Sequence, residues 1–359
     1  MSTYFLRRAT STSAISRRRL FSFINFRITQ PYSTVLGTSP LATTLHYLDP
    51  LEIYKTEKPY HLNVPPSALA PHQKQSNEVS KAYEGILIND LRGRESDFTL
   101  DANGFQVFRD EKDHVSLNSA LKYEDYENSP VVKDKYREAV KSFLVERLGA
   151  GIVIPFTHEV RRRSEVFPLL PRGTGKAPQP VQGVHVGECF GFNSLVAAKS
   201  LDFTPRWAAE RARMVLGESL AHITLNRRWQ VLNIWRPLFG PLHDWPLALC
   251  DWKSINPIHD LEPSDNVYTH LTAETYNVYH NPSHRWYYIS NMEPTETFVF
   301  KSFDSDQSYK VARVCPHAAF FNANAPKGCR ARESVECLVL VVYPEGKGEV
   351  GHQSNEWLP

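Results

Sequence analysis

The chain has 359 residues, of which 42% are hydrophobic and 22% charged, and its net charge at neutral pH is +2. These values are ordinary for a soluble globular protein with a well-buried core. The longest strongly apolar run, Cys337 to Tyr343, is too short to span a bilayer, so no integral membrane segment is expected. Five cysteines without a closely spaced pair predict neither a disulfide framework nor a structural zinc site.

Residues 1–40 differ in composition from the rest of the chain. Six arginines, many Ser and Thr residues and bulky apolar side chains precede the first acidic residue, Asp49. This composition predicts a mitochondrial transit peptide and a location in the matrix; a basic arm on a cytoplasmic protein is the alternative. Without those six arginines, 35 basic residues face 39 acidic ones, so no nucleic-acid partner is expected.

Residues 41–128 are predicted to form an extended N-terminal arm and a strand pair. Five prolines between positions 50 and 71 predict an irregular lead-in over the surface. From residue 85 to residue 108, apolar and polar residues alternate around Asn103-Gly104. An Asn-Gly pair between alternating runs predicts a two-stranded hairpin with a tight turn.

A helix is predicted next. Ser129 is the expected N-cap, Pro130 the first helical residue and Gly149 the stop. Apolar residues follow at helical spacing, namely Val132, Tyr136, Val140, Phe143 and Leu144.

From residue 151 onward, short β-rich runs dominate the sequence. They are residues 151–156, 183–187, 230–235, 246–250, 285–290, 297–303 and 335–343. One amphipathic helix, opened by Thr204 and Pro205, interrupts them. Short strands with little helix between them predict a mostly β fold with flanking helices, of the jelly-roll kind. We expect this domain to cover residues 129–345, followed by a tail at 346–359.

Several strings in this region occur together in a known family. They are residues 89–108, 161–163, 184–187, 231–251, 281–305, 316–320 and 332–336. In this order they resemble the fungal AsaB-type hydroxylase/desaturase family, over about residues 85–345. The resemblance implies a double-stranded β-helix (jelly-roll, cupin-like) that uses Fe(II) and 2-oxoglutarate to hydroxylate or desaturate a small organic metabolite in secondary metabolism.

The same resemblance implies iron ligation by His185 and His317. An Fe(II) site that activates oxygen needs two imidazoles and usually one carboxylate on one face. His185 lies between glycines at 183 and 187, and His317 precedes two alanines, so both have space beside them. Taken alone, either histidine could instead be a hydrogen-bonded structural residue.

Arg332 and Ser334 are the residues that the resemblance assigns to 2-oxoglutarate binding. Residues i and i+2 of a strand project to one face, where a guanidinium and a hydroxyl can bind a carboxylate together. The alternative is a surface ion pair of Arg332 with Glu333 or Glu336. Arg330 is the nearest competitor for the role, but it lacks a serine two residues later.

Trp235, Arg236 and Tyr287 are candidates for the lining of a substrate pocket. Aromatic residues at this density also suit ordinary core packing. His158, which lies beside the 161–163 arginines, is a candidate for support of the metal ligands.

The metal motif departs from the family pattern at Gly187, where an aspartate is expected two residues after His185. Three explanations compete. Glu188 supplies the carboxylate through a bulge at Gly187, or a halide or water takes the open position as in halogenating relatives, or iron is not bound. The rival to an oxygenase is therefore a catalytically silent small-molecule-binding protein. The oligomeric state is not predicted.

Overall fold

The computed structural model describes residues 39–167, 178–186 and 204–346, and two β-sheets carry most of this part of the chain. The strands are β1 (Leu41–Leu48), β2 (Tyr60–Leu62), β3 (Ser80–Asp90), β4 (Phe105–Arg109), β5 (Ile152–Arg162), β6 (His185–Val186), β7 (Trp229–Pro237), β8 (Leu247–Cys250), β9 (Leu261–Val267), β10 (Thr272–Val278), β11 (Trp286–Tyr288), β12 (Glu296–Asp304), β13 (His317–Ala319) and β14 (Glu333–Val342). The α-helices are α1 (Leu100–Asn103), α2 (Ser129–Val131), α3 (Arg137–Leu148), α4 (Pro205–Leu216) and α5 (Glu218–Thr224). The predicted mostly β architecture with flanking helices is confirmed.

The smaller sheet has five antiparallel strands in the order β4-β12-β7-β14-β5. Every residue of β7 and β12 is buried, because both faces of this sheet are covered. Helix α3 packs on the outer face, where Val140, Phe143 and Leu144 join a core with Leu232 and Ile234. The inner face is turned toward the second sheet.

The larger sheet has nine strands in the order β1-β3-β11-β8-β13-β6-β10-β9-β2. Strand β1 also forms isolated bridges from His46 to Gly183 and from Leu48 to Tyr279. The sheet therefore curls back on itself around a core that includes Tyr47 and Trp286.

Side chains of both sheets meet between them. One cluster joins Trp235 and Phe300 of the five-stranded sheet to Leu249 of the nine-stranded sheet. A second cluster covers the other end of the same inner face with Ala208 and Ala212 of α4. The middle of the inner face, between these two clusters, is where polar residues collect.

The predicted helices are present, with one change at a cap. Thr204 caps α4 by accepting a hydrogen bond from the Trp207 N–H, as predicted. Gly149 ends α3 in the left-handed conformation, also as predicted. The predicted N-cap at Ser129 is wrong by one residue: Asn128 holds the cap position, and Ser129 is the first helical residue. A π-helical turn, Val132–Tyr136, joins α2 to α3. No helix in the described ranges is long and apolar enough to cross a membrane.

The predicted hairpin around Asn103-Gly104 is wrong. Strand β3 pairs with β1 and β11, whereas β4 pairs with β12 in the other sheet. Gly104 instead ends α1 with φ of 86°, and a Cβ there would lie 2.8 Å from the carbonyl oxygen of Val314. The Asn-Gly signal correctly marks a left-handed residue, but it serves a helix end that carries the chain from one sheet to the other.

Candidate active site

The two predicted metal-binding histidines meet on neighbouring strands. His185 of β6 is the direct cross-strand partner of His317 of β13, and their ring centroids are 4.4 Å apart. Phe300, which belongs to the opposite sheet, packs on the ring of His317 at a centroid distance of 4.7 Å. The pair therefore lies between the two sheets.

Backbone carbonyls fix the tautomer of both rings. The Nδ1 atom of His185 lies 2.7 Å from the Gly183 oxygen, and that of His317 lies 3.0 Å from the Cys315 oxygen. A carbonyl can only accept, so each Nδ1 donates and each Nε2 carries the lone pair. Burial, helped by His317, lowers the pKa of His185 to about 3. Two imidazoles whose Nδ1 atoms are held by backbone carbonyls have the tautomer that suits metal binding through Nε2.

A third protein ligand is not found in the part of the chain that the structure describes. Within those residues, no group of three His, Cys, Asp or Glu side chains could hold a metal ion. The carboxylate of Glu336 lines the same pocket, but it is paired with Arg161. Gly187 and Glu188, on which the competing explanations for the third ligand depend, lie outside the described residues.

Arg332 lines this pocket and contacts Ser334, and the two residues are only 2% and 1% exposed. The Arg332 Nε donates to the Ser334 Oγ at 3.3 Å, and Nη1 donates to the Trp245 carbonyl at 2.8 Å. Among the described residues, these guanidinium contacts are with neutral groups rather than carboxylates. Burial lowers the pKa of Arg332 to about 9. A guanidinium buried beside a hydroxyl is suited to bind an incoming carboxylate.

The predicted alternatives for Arg332 are not realised. Glu333 pairs with Arg162 and Arg330 at the surface. Glu336 forms a buried ion pair with Arg161, with an Oε1–Nη2 distance of 2.5 Å. Arg330 is largely exposed and does not share the pocket.

Arg161 and Glu336 are pocket residues whose place in the site was not predicted. Both contribute to the wall that contains His185 and His317. A signal was available, since Glu336 follows Arg332 and Ser334 in strict i, i+2 alternation and must share their face. Their neighbour Glu159 lies opposite Glu336 on β5, and burial raises its pKa to about 7.

Two of the remaining candidates, Trp235 of the smaller sheet and Tyr287 of the larger sheet, face the space between the sheets. Trp235 lies on the inner face, and the Arg332 guanidinium is 5.0 Å from its ring centroid. Tyr287 pairs with Leu249, which itself pairs with His317, so it lies on the histidine side of the larger sheet. Its ring packs on Phe98 at 4.7 Å.

Arg236 and His158 do not reach the pocket. The Arg236 guanidinium donates to the Leu117 carbonyl and the Tyr126 hydroxyl, under the helical layer. Because side chains alternate along β7, Arg236 projects to the other face of the sheet from Trp235. Arg236 therefore does not line the predicted substrate pocket. His158 accepts a hydrogen bond from Arg137 of α3, so it supports the helix rather than the metal ligands.

The free space between the pocket residues is about 20 Å³, enough for roughly one water molecule. It is lined by Arg161, Val181, His185, Leu247, His317, Ala318, Ala319, Arg332 and Glu336. A ligand the size of a five-carbon diacid therefore requires some of these side chains to move apart.

Comparison with known proteins gives relatives along most of the chain. A family model described as an oxidoreductase/YMDC permease-like domain matches residues 45–342. The hydroxylase/desaturase efuI of Hormonema carpetanum is 31% identical over 292 residues, covering 76% of this chain and 88% of that protein. The alpha-ketoglutarate-dependent dioxygenase tstK of Talaromyces stipitatus is 29% identical, covering 72% of this chain and 84% of its own length.

A solved structure confirms the predicted fold. The iron and alpha-ketoglutarate-dependent endoperoxidase NvfI superposes with a TM-score of 0.68 at 23% identity, covering 85% of this chain and 98% of that one.

Proposed function

This chain belongs to the AsaB-type hydroxylase/desaturase family, and from that premise we propose that it is an Fe(II)- and 2-oxoglutarate-dependent oxygenase acting on a small organic metabolite. The observation that carries the proposal is the direct pairing of His185 with His317 in a pocket that also contains Arg332. Two tautomer-fixed imidazoles and a buried guanidinium are the groups that this cofactor pair needs.

His185 and His317 would hold the iron through their Nε2 atoms. When bound, iron and 2-oxoglutarate supply the oxidation of a substrate C–H bond by O₂, coupled to decarboxylation of the diacid to succinate. The carbonyls of Gly183 and Cys315 keep both rings in the ligating tautomer. Phe300 packs on His317 and limits its rotation.

Arg332 and Ser334 would bind the carboxylate of 2-oxoglutarate that lies away from the metal. The guanidinium already has its Nη1 fixed on the Trp245 carbonyl and its plane beside the Trp235 ring. A side chain fixed in this way loses little conformational entropy when the carboxylate binds. Burial of Arg332 strengthens the ion pair by excluding water.

An anaerobic titration tests the proposal. Fe(II) and then 2-oxoglutarate are added while the weak visible charge-transfer band is followed, and succinate is measured after exposure to air. The wild type should give both signals, and Arg332→Met should lose the band at 2-oxoglutarate concentrations that saturate the wild type. Arg330→Met is the matched control, because that arginine is exposed and bonded to Glu333; it should behave as the wild type. A wild type with neither signal contradicts an active oxygenase.

The proposal has three forms, which differ in the third metal ligand: Glu188, a halide or water, or no bound iron. Gly187→Asp places a carboxylate two residues after His185, and it should convert a silent wild type into an active protein if the only defect is the missing ligand. If the wild type is active, Glu188→Ala abolishes activity when Glu188 is the ligand. Activity that survives Glu188→Ala and depends on chloride supports the halogenase-like alternative. A protein that binds 2-oxoglutarate but stays inactive in every variant is a silent binding relative.

We also propose import into mitochondria, supported by the acid-free, arginine-rich composition of residues 1–40. Fusion of these residues to a fluorescent protein should direct it to mitochondria in a fungal host. Replacement of the six arginines by glutamine is the control and should leave the fusion in the cytoplasm. A wild-type fusion that remains cytoplasmic contradicts the proposal.

A further inference from the structure

Asn233, in the middle of β7, is a buried polar residue with unmatched hydrogen-bonding groups. Its side chain is 0% exposed, and neither Oδ1 nor Nδ2 has a partner among the described residues. The indole nitrogen of Trp235, two residues later, is likewise buried without a partner. Buried amides are normally hydrogen-bonded. A buried amide without a partner therefore indicates a site where a ligand can supply the missing hydrogen bonds.

Both side chains face the space that contains the metal-binding pair. Leu232 and Ile234 point to the helix-covered face of the sheet, so Asn233 and Trp235 point to the inner face. The cross-strand neighbour of Asn233 is Phe300, whose ring packs on His317. Trp235 packs on Arg332. Asn233 is therefore next to Phe300, which covers His317, and Trp235 is next to Arg332.

The spacing of these two residues matches a short diacid. Residues i and i+2 of a strand are about 6.6 Å apart, a distance that the outer carboxylate oxygens of an extended five-carbon diacid can span. If Arg332, which lies beside Trp235, binds one carboxylate of the diacid, the other end of the diacid lies near Asn233 and the two histidines.

We propose that the Asn233 carboxamide binds the 2-oxo acid end of the cosubstrate, with Nδ2 donating to its carboxylate. Asn233 is thereby assigned as a positioning residue that sets how the oxo acid is presented between His185 and His317. This inference rests on the proposed function, since it takes 2-oxoglutarate as the ligand.

Asn233→Leu tests the assignment because the two side chains are nearly equal in size and only the hydrogen-bonding groups are lost. In the ligand-free protein, removal of an unmatched amide should raise Tm by about 2 °C. Calorimetric titration of 2-oxoglutarate into Mn(II)-loaded protein should show binding about 10- to 100-fold weaker than wild type. An asparagine that does not contact the ligand would give the same rise in Tm and no change in affinity, so the affinity decides.

Ser302→Ala is the matched control, since the Ser302 hydroxyl is also buried without a partner in the described residues. It should leave the affinity for 2-oxoglutarate unchanged. Asn233→Ala, which removes the amide without adding bulk, covers the case in which leucine prevents folding, and it should show the same loss of affinity.

Pyruvate distinguishes the two ends of the ligand, because it has the oxo acid end and lacks the far carboxylate. Its binding to the Mn(II)-loaded protein should weaken in Asn233→Leu and stay unchanged in Arg332→Met. Wild-type affinity for both acids in Asn233→Leu and Asn233→Ala overturns the inference and leaves the proposed function intact. A wild type that binds neither acid overturns both.

Discussion

His185 and His317 lie directly opposite one another on adjacent antiparallel strands, and each ring donates from Nδ1 to a carbonyl two residues earlier in the chain. Paired residues project to the same face of a sheet, so the pairing brings two distant histidines to one point. The repeated Nδ1 contact gives both rings the same tautomer. This arrangement is the basis of the first prediction.

His185→Ala and His317→Ala should each weaken Mn(II) binding by more than about 100-fold, because a lost ligand costs more than the 10- to 100-fold typical of a residue that only orients one. Titration followed by electron paramagnetic resonance measures the affinity. His158→Ala is the control, since His158 contacts α3 instead of the pocket. Unchanged affinity in either histidine variant would refute the two-imidazole site.

Removal of residues 187–201 should strengthen the metal site. Val186 pairs with Tyr276 of β10, and the Thr204 N–H bonds to the carbonyl of Glu274 on the same strand. Tyr276 and Glu274 are about 6.6 Å apart along β10, and the three steps from Val186 through Asp202 and Phe203 to Thr204 are long enough to span this distance. The shortened chain reads His185-Val186-Asp202, with a carboxylate two residues after the histidine.

We expect this deletion variant to fold and to bind Mn(II) at least about 10-fold more tightly than the full chain, because a third, anionic ligand is added. Metal titration and succinate release measure the gain. The same deletion combined with Asp202→Ala is the control and should lose it. Equal affinity of the deletion variant and its control would show that Asp202 does not reach the metal.

Removal of one partner of the buried ion pair between Arg161 and Glu336 should destabilise the protein. Arg161→Met leaves the Glu336 carboxylate buried and uncompensated, which should lower the free energy of unfolding by about 3–5 kcal/mol. Urea unfolding gives the value. The double variant Arg161→Met with Glu336→Leu should recover most of the loss, because no isolated charge remains. Equal destabilisation of the single and double variants would mean that packing, rather than charge, is responsible.

The contribution of Glu159 to the free energy of unfolding should fall as pH rises toward neutral. Burial raises its pKa from the ordinary 4.5 to about 7, so between these values the folded state binds more protons than the unfolded state. The stabilisation is fully present below pH 4.5 and is lost as pH rises through 7. Glu159→Gln should therefore flatten the dependence of unfolding free energy on pH between 5 and 8, measured by urea titration.

The matched control for this prediction is Glu333→Gln. Hydrogen bonds from Tyr123, Arg330 and Arg162 outweigh burial and lower the pKa of Glu333 below 4.5. Its stabilisation is present above the unfolded pKa and is lost only as pH falls through the lower, folded value. The slope between pH 5 and 8 should thus match the wild type. An unchanged slope in Glu159→Gln would exclude a raised pKa at that residue.

Local signals in the sequence predicted the features that depend only on neighbouring residues. The helix that ends at Gly149 and the cap at Thr204 follow from spacing and from residues within one turn. The shared face of Arg332 and Ser334 follows from strand alternation. The short β-rich runs after residue 150 were sufficient to predict a two-sheet fold.

Tertiary structure decided everything that depends on which strands pair and which face is covered. Alternation separates Trp235 from Arg236, but only the position of α3 and of the second sheet shows that Trp235 faces the pocket and Arg236 the helical layer. Gly104 marks a left-handed turn in either reading, and the choice between a hairpin and a helix end was made by distant pairing partners. The family resemblance named both His185 and His317 as ligands, but only the cross-strand register shows that they lie opposite one another, because a β-sheet brings together residues that local sequence cannot relate.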